Sequence, residues 1–219
     1  ASAAPMFDAL PVVSPVEMTS KLSERNALWA ARRGLYTTVA GNRPTGTNAL
    51  LEDVVVPVDV LGATCRDLTA LFDAHGYQDS VIFGHAKDGN IHFMLNEQFR
   101  DAKQLVRYRD FTEEMVQLIL DADGSLKAEH GTGRIMAPFV RRQFGDELFE
   151  VMREIKRLID PKGFLNPGVV LADEDTDYAT DLKVAETVEE EVDRCVECGY
   201  CEPVCPSKDL TLTPRQRIV

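Results

Sequence analysis

The sequence predicts an α+β fold: an antiparallel sheet with helices packed on one face, followed by a small Cys-rich ferredoxin-like segment. Helical and extended stretches alternate over roughly the first 170 residues. The extended stretches are joined by hairpin-like links rather than by the long crossovers that parallel sheets need. Four of the five cysteines crowd close to the end of the chain. A length of 219 residues is sufficient for one main hydrophobic core and an appendage.

Hydrophobic periodicity predicts where the helices and strands lie. A helix is expected from Ser23 to about Tyr36, and another from about Ala63 to His75, whose last residue is expected on the surface. The β-branched run Val54–Val56 is too short for a helix and predicts a strand. Two further amphipathic helices are predicted from apolar residues at helical spacing, the first from Phe111, Met115, Leu118 and Ile119, the second from Leu148, Met152, Ile155 and Ile159.

The charge is concentrated in one part of the chain. The net charge of −12 argues against a nucleic-acid partner, because binding to phosphates needs an excess of Lys and Arg. Residues 171–194 contain ten acidic and two basic residues, so they account for eight of these negative charges. We therefore expect a main domain over residues 1–170, an acidic linker over 171–192 that wraps the main domain or stays mobile, and a ferredoxin-type segment over 193–219.

No stretch approaches the ~18 consecutive apolar residues of a membrane span, and the start lacks the basic region of a secretory signal. A cytoplasmic protein is expected, with peripheral attachment to the inner face of the cell membrane as an alternative. Position 1 is not Met, which indicates a piece of a longer protein. A homo-oligomer is also possible, because sheet edges left unpaired in one chain can pair with another.

The cysteine spacing predicts an iron–sulfur site. The pattern Cys195-x2-Cys198-x2-Cys201-x3-Cys205-Pro206 is that of bacterial-type ferredoxin ligands. A structural zinc site or free thiols are the alternatives, but zinc knuckles typically use two separated cysteine pairs. In this pattern the fourth cysteine normally serves a second cluster. We therefore expect the first three cysteines to bind one [4Fe–4S] cluster that is incomplete within this chain, and Cys205 to serve another.

Two histidines are expected to share a metal ion. If Asp88 and Gly89 are the central residues of a hairpin turn, His85 lies directly opposite His92. Opposed side chains on one face have Cβ atoms about 4.5–5.5 Å apart, which lets both imidazoles reach one divalent cation. A pair of hydrogen-bonded core histidines is the alternative.

A carboxylate and a third imidazole are available in the segment Lys127–Gly133. Glu129 would complete a set of two His and one Glu, which leaves the open coordination position of a catalytic metal site. Adjacent residues of an extended loop point to opposite sides, so His130 would then face the substrate, where a general base belongs.

Three segments together resemble the C-terminal, substrate-side domain of FAD-linked oxidases, over about Ala27 to Leu171. With the cysteine motif after them, they are similar to the bacterial D-2-hydroxyacid dehydrogenases that carry both FAD and iron–sulfur clusters, the D-lactate and D-2-hydroxyglutarate type. The three segments are Gly84–His92, Glu129–Gly133 and Asp160–Gly168.

The resemblance implies roles for particular residues. It implies that His85, His92 and Glu129 bind a divalent metal, usually zinc, and that His130 acts on the substrate hydroxyl. From the pattern Trp29-x-x-Arg32 it implies that Arg32 binds the substrate carboxylate. From the sequence alone, a surface salt bridge is an equal alternative for Arg32. The resemblance also implies that Asn166 lies on the FAD side.

Two positions depart from relatives that have a 2-hydroxyglutarate site. Leu51 stands where they carry Lys, and Met94 stands where they carry Asn. The identity of the substrate is therefore open. Polar contacts from the nearby loop could replace the missing ones, through Arg43, Thr45 and Thr47.

The resemblance implies oxidation of a D-2-hydroxyacid, D-lactate or D-2-hydroxyglutarate, to the 2-oxoacid. Hydride would pass to FAD, which is bound mainly by a domain that these residues lack, and electrons would leave through [4Fe–4S] clusters to a quinone or an electron carrier. The isolated piece is expected to be inactive without its flavin domain. Two alternatives remain: a metal-dependent hydrolase that uses the two histidines and the glutamate, and a non-enzymatic electron-transfer module.

Overall fold

The structure is a computed structural model that describes residues 4–7, 11, 16–172 and 177–218. The chain forms two compact units. Unit 1 comprises the described residues within Ala1–Asn42 and Val196–Arg217, and unit 2 comprises those within Arg43–Cys195 together with Ile218. The predicted division at residues 170 and 192 stays a prediction.

The described residues contain seven α-helices and three strands. Two short 3-10 helices, Ala86–Asp88 and Ala137–Phe139, join them. No helix in these ranges is both long and apolar enough to cross a bilayer. The helices are α1 (Ala4–Phe7), α2 (Leu22–Gly41), α3 (Leu61–Ala74), α4 (Ala102–Asp121), α5 (Val140–Ile159), α6 (Glu190–Asp193) and α7 (Pro214–Ile218), and the strands are β1 (Asn48–Val55), β2 (Val81–His85) and β3 (Asn90–Glu97).

The three strands form one antiparallel sheet in the order β1-β3-β2, which confirms the predicted α+β class. Strand β3 lies in the middle and is buried along almost its whole length. Because successive side chains of a strand point to opposite faces, β3 presents Ile91, Phe93 and Leu95 on one face and His92 and Met94 on the other. The first face belongs to the hydrophobic core.

Helices α3 and α4 pack together and supply their apolar sides to that core, on one face of the sheet as predicted. The ring of Phe72 on α3 lies 5.5 Å from that of Phe93 and 5.8 Å from that of Phe111 on α4. Aromatic rings at these separations add to the stabilisation that burial provides. The core therefore fixes β3 against two helices, and the face of β3 that carries His92 and Met94 lies outside this core.

The predicted helices are present with different ends. Helix α2 runs five residues past Tyr36, and the run Val54–Val56 overlaps the end of a strand that begins at Asn48. Helix α5 contains a break at Gly145, where φ is +79°. The apolar stripe of α5, which includes Leu148, is exposed in the structure.

The predicted hairpin register is wrong. His85 pairs with Asn90, and the partner of His92 is Phe83. The link is a 3-10 turn over Ala86–Asp88 followed by Gly89 at φ +70°, so it is longer than a two-residue Asp-Gly turn. The two histidines are consequently diagonal neighbours on one face of the sheet, a separation that long side chains can still span.

The histidine predicted on the surface, His75, is the C-cap of α3, but its side chain is mostly buried. Its Nε2 lies 3.3 Å from Oε1 of Glu114, and its ring meets the ring of Phe111 edge-on at 5.8 Å. The helix end lies over α4 rather than over solvent, which is why the side chain is covered.

The acidic segment is partly packed against unit 2. Tyr178 and Ala179 join a small cluster with Phe99 and Tyr108, and Asp177 forms an ion pair with Arg109. These contacts favour the alternative in which the segment wraps the main domain. The predicted linker residues 173–176 lie outside the described residues.

Asp160 organises the turn that ends α5. Its carboxylate accepts hydrogen bonds from Lys156 Nζ at 2.6 Å, from the N–H of Leu165 at 2.8 Å and from the N–H of Phe164 at 3.0 Å. These donors, Lys156 first, lower the pKa of Asp160 to about 2. Asn166 follows in the left-handed region at φ +43°, and its carbonyl accepts from the N–H of Val169.

We expect Asp160→Asn to destabilise the protein in a pH-dependent manner. The folded pKa lies below the ordinary value of about 3.9, so the charged carboxylate contributes stability above about pH 4 and loses it as the pH falls towards about 2. Thermal unfolding followed by circular dichroism should give the variant a lower Tm at pH 6 and a shrinking difference at pH 4 and 3. Asp67→Asn, at an exposed site on α3, is the control. A difference that stays constant with pH would contradict the assignment.

Candidate metal centre and active site

Two strands and a loop bring the predicted metal ligands together. His85 ends β2, His92 lies in the middle of β3, and Glu129 lies in the loop after α4. Oε1 of Glu129 is 2.8 Å from Nε2 of His92 and 3.3 Å from Nε2 of His85. The two imidazole rings are nearly perpendicular, with centroids 5.5 Å apart. The three donor atoms thus converge on one point in spite of the shifted register.

The spacing of these atoms suits a divalent cation. One donor atom from each of His85, His92 and Glu129 lies within 4.8 Å of the other two. Ligands about 2.0–2.2 Å from zinc in tetrahedral geometry are roughly 3.3 Å apart, close to the separations observed. The side chains of His85 and Glu129 are 49% and 51% exposed, whereas that of His92 is 5% exposed. One side of the group is therefore open to solvent or a ligand.

His130 lies beside this group. Its ring stacks on that of His92, with centroids 4.8 Å apart and planes 10° from parallel, and its Nε2 is 3.9 Å from Oε1 of Glu129. The side chain is 42% exposed, so a bound molecule can reach it. It also forms a second group of possible ligands with Asp53 and His92. Its predicted role as a base rather than a ligand stays a prediction.

Asp53 is the residue of this site that the sequence did not reveal. Its fully buried carboxylate accepts, through Oδ2, three successive backbone N–H groups, from Ala128 at 3.1 Å, Glu129 at 2.7 Å and His130 at 2.8 Å. Oδ1 accepts from the Asn90 amide at 2.7 Å. One carboxylate on β1 therefore fixes the backbone that carries both Glu129 and His130. The signal in the sequence is a lone Asp beside the apolar run Val54–Val56.

Asp53 also faces the buried side of His92. Its Oδ1 lies 3.4 Å from Nδ1 of His92, while Nε2 of the same ring points to Glu129. Nδ1 makes no hydrogen bond in the structure, so Asp53 acts on this ring through its charge rather than as a hydrogen-bond acceptor.

Burial and hydrogen bonding determine the protonation of Asp53 and His92. Burial raises the pKa of Asp53, but the backbone N–H groups of His130, Glu129 and Ala128 and the amide of Asn90 outweigh it, so the pKa is lowered. Burial lowers the pKa of His92 more strongly than the carboxylates raise it. The pair is therefore an ionised Asp53 and a neutral His92 near pH 7, which is the imidazole form that binds metals.

Apolar side chains, of which Met94 is buried and Leu51 and Val81 are half-buried, adjoin the histidines on the same face of the sheet. Met94 lies two residues after His92 on β3, and it pairs with Leu51 on β1 and with Val81 on β2. Residues opposite each other in an antiparallel pair point to the same face. We call these three side chains the apolar ledge. None of the three strands contains Lys or Arg.

The residues predicted to contact substrate or FAD belong to other elements of the chain. Arg32 lies on α2 in unit 1. Arg43 donates through Nε to the carbonyl of Thr47 at 2.8 Å, and the buried Thr47 hydroxyl donates to Pro44, whereas Thr45 is exposed. Their substrate roles, like the FAD-side role of Asn166, stay predictions.

The four clustered cysteines are free thiols in the structure. Cys195 belongs to unit 2, and Cys198, Cys201 and Cys205 belong to unit 1. The hydroxyl and the backbone N–H of Ser207, together with Arg217, lower the pKa of Cys205. Iron–sulfur ligation by these residues stays a prediction.

Comparison with known proteins identifies the family. The family described as FAD linked oxidases, C-terminal domain, matches residues 2–170. The chain belongs to this family. The match contains the two histidines on the sheet, Glu129, His130 and Asp53, and the clustered cysteines lie beyond it.

Several curated relatives resemble this FAD-linked oxidase domain. A glycolate oxidase subunit of Bacillus subtilis is 29% identical over 72% of the chain and 33% of its own length. A probable mitochondrial D-lactate dehydrogenase of Danio rerio is 31% identical over 67% of the chain and 29% of its own length. A D-2-hydroxyglutarate dehydrogenase of Escherichia coli is 29% identical over 73% of the chain and 18% of its own length. The chain thus spans about a third or less of these relatives.

We expect Asp53→Asn to weaken metal binding and folding together. The amide cannot accept three N–H donors as a charged carboxylate does, so we expect a loss of about 1–3 kcal/mol of unfolding free energy. Loss of such an outer partner typically costs 10–100-fold in metal affinity. Urea titration and competition for Zn²⁺ with a chromogenic chelator measure the two effects. Asp59→Asn, at an exposed position after β1, is the control. Unchanged values in both assays would contradict this role.

Proposed function

We propose that this chain supplies the metal-binding and substrate-binding part of an FAD-dependent dehydrogenase that oxidises a D-2-hydroxyacid to the 2-oxoacid. Family membership and the names of the relatives support this reaction class. The observation that carries the proposal is the convergence of His85, His92 and Glu129 with His130 alongside. A binding-only module has no need of an open, half-exposed donor set of this kind.

We propose that His85, His92 and Glu129 hold a divalent metal, zinc in the first instance. Such an ion lowers the pKa of a coordinated hydroxyl and polarises its oxygen. FAD, bound mainly outside these residues, supplies the hydride acceptor. The donor chemistry of two imidazoles and a carboxylate fits zinc, and the exposed side of the group leaves room for the substrate oxygen.

The protein groups around the ion then have distinct tasks. Nε2 of His130 accepts the proton of the substrate hydroxyl, because it lies on the exposed side, 3.9 Å from Glu129. Stacking on His92 restrains the plane of its ring. Asp53 holds the backbone of residues 128–130, so Glu129 and His130 keep their relative positions during the reaction.

We further propose that electrons leave through a [4Fe–4S] cluster bound by Cys195, Cys198 and Cys201, with Cys205 serving another cluster, to a quinone or an electron carrier. The ferredoxin spacing of the four cysteines supports this step. A cytoplasmic location stays a prediction.

Among hydroxyacids we propose a small substrate with an apolar side chain, such as D-lactate. The apolar ledge of Leu51, Val81 and Met94 adjoins the metal ligands, and its strands offer no cation to a second carboxylate. An unpaired carboxylate on this surface would lose its hydration without compensation. D-2-Hydroxyglutarate is therefore the poorer substrate.

Metal content tests the donor set. We expect about one zinc per chain by mass spectrometry of the purified protein, and less than about a tenth of that in His85→Ala, His92→Ala and Glu129→Ala, because three ligands are needed for tight binding. His130→Ala should keep its zinc but lower kcat by about 10²–10⁴-fold in the FAD-loaded enzyme. His75→Gln, which changes a histidine outside the site, is the control.

Two results would contradict these assignments. Zinc retained in His92→Ala would reject the proposed metal site. Zinc lost from His130→Ala would show that His130 is a metal ligand and not only a base. Hydrolysis of a model ester by the zinc-loaded chain, without oxidation of any hydroxyacid, would support the metal-dependent hydrolase instead.

Substrate preference tests the apolar ledge. In the FAD-loaded enzyme we expect kcat/KM for D-lactate to exceed that for D-2-hydroxyglutarate by at least about tenfold. Leu51→Lys should shift this ratio towards the dicarboxylate by about 10–100-fold, the gain expected from one charge-assisted hydrogen bond. Leu51→Met, which keeps the site apolar, should leave the ratio in place. A wild-type preference for D-2-hydroxyglutarate would overturn the substrate proposal while leaving the metal site intact.

A further inference from the structure

The segment that leads into the cysteine motif belongs to unit 2 and is held along its length by other residues of that unit. We call residues 177–195 the strap. At its start, the ring of Tyr178 lies 5.3 Å from that of Phe139 and 6.2 Å from that of Tyr108. These contacts bury the first residues of the strap in unit 2 and leave its later part to be held by other means.

A side chain at the start of β1 and another just after β3 hold the middle of the strap through its backbone. Nδ2 of Asn48 donates to the carbonyl of Lys183 at 2.5 Å, and Nη2 of Arg100 donates to that of Ala185 at 2.9 Å. Gly46 lies against the same stretch, where a Cβ would meet the methyl of Thr187 at 3.1 Å. The loop before β1, which contains Gly46, is therefore in close contact with the strap.

Arg43 holds the end of the strap, at the first cysteine. Its Nη2 donates to the carbonyl of Asp193 at 2.7 Å and to that of Cys195 at 3.1 Å, while its Nε donates to the carbonyl of Thr47 at 2.8 Å. A guanidinium can bind several acceptors at once because its N–H groups form a rigid, planar fork. One side chain thus joins the backbone at Cys195 to the loop that precedes β1.

The end of the strap needs this support because it contains little secondary structure of its own. Helix α6 has only four residues, and the N–H of Cys195 bonds back to Val192 at 2.9 Å. So short a helix is not stable without outside contacts. The Asp193 carboxylate accepts a hydrogen bond from the N–H of Val188, but both residues belong to the strap.

We propose that Arg43 is a positioning residue that fixes the backbone of Cys195, the first ligand position of the cysteine motif, on unit 2. This inference rests on the proposed iron–sulfur function. Thr47, the other partner of Arg43, immediately precedes β1, and β1 carries Asp53. The anchor therefore joins the cysteine to the strand that organises the metal site. The substrate contact predicted for Arg43 stays a prediction beside this anchoring role.

Amide hydrogen exchange of the 219-residue chain, followed by mass spectrometry, tests the anchor directly. In Arg43→Ala we expect exchange about tenfold faster in peptides that cover residues 186–196, from the loss of charge-assisted hydrogen bonds. Residues 177–182 should be unchanged, because Tyr178 holds them. Arg43→Lys should behave like the alanine variant, since a single ammonium cannot bridge these carbonyls. Arg66→Ala, at an exposed site on α3, is the control.

The same substitutions, made in a longer protein that supplies the missing cluster ligands and reconstituted anaerobically with iron and sulfide, test whether Arg43 affects the cluster. We expect the electron paramagnetic resonance spectrum and the midpoint potential of the reduced cluster to change in Arg43→Ala and to match the wild type in Arg66→Ala. Zinc content should be equal in all of them.

The outcomes separate the two proposals. Unchanged exchange at residues 186–196 in Arg43→Ala would overturn the anchor. Faster exchange with an unchanged cluster spectrum and potential would overturn the role towards the cluster. Absence of a cluster from the wild type, even in a longer protein that supplies the missing cluster ligands, would reject the iron–sulfur function, while the hold of Arg43 on Cys195 would still be decided by the exchange result alone.

Discussion

The buried carboxylate of Asp53 is the interaction on which the candidate site depends. It accepts three successive backbone N–H groups of residues 128–130 and faces the inner nitrogen of His92. A charged group without exposure is tolerated only when its hydrogen-bonding capacity is filled. Here the groups that fill it are the backbone of Glu129 and His130, so the stability of the fold and the geometry of the site have the same cause.

The middle strand of the sheet serves two purposes because its side chains alternate. Ile91, Phe93 and Leu95 are held in the core by α3 and α4, and this fixes the positions of His92 and Met94 on the other face. Of the candidate ligands, His85 and His92 therefore lie on the strands of the sheet. Only Glu129 and His130 come from a loop, and Asp53 restrains that loop.

The same strand, β1, is linked to the cysteine motif. Its N-terminal end follows the loop whose Arg43 binds the carbonyl of Cys195, and its sixth residue is Asp53. The family match ends at residue 170, and the strap beyond it is held through main-chain carbonyls that accept hydrogen bonds from Asn48, Arg100 and Arg43.

The sequence by itself determined the α+β class, because local periodicity marks helices and strands. It also indicated, through the residue chemistry of three motifs and their resemblance to a known family, that His85, His92, Glu129 and His130 belong to one site. The tertiary structure alone decided the hairpin register, since a 3-10 turn closed by Gly89 pairs Phe83, and not His85, with His92. It alone gave Asp53 and Arg43 their partners. These contacts join residues about 75 and 150 positions apart, and no local pattern encodes which distant backbone groups a buried charge will find.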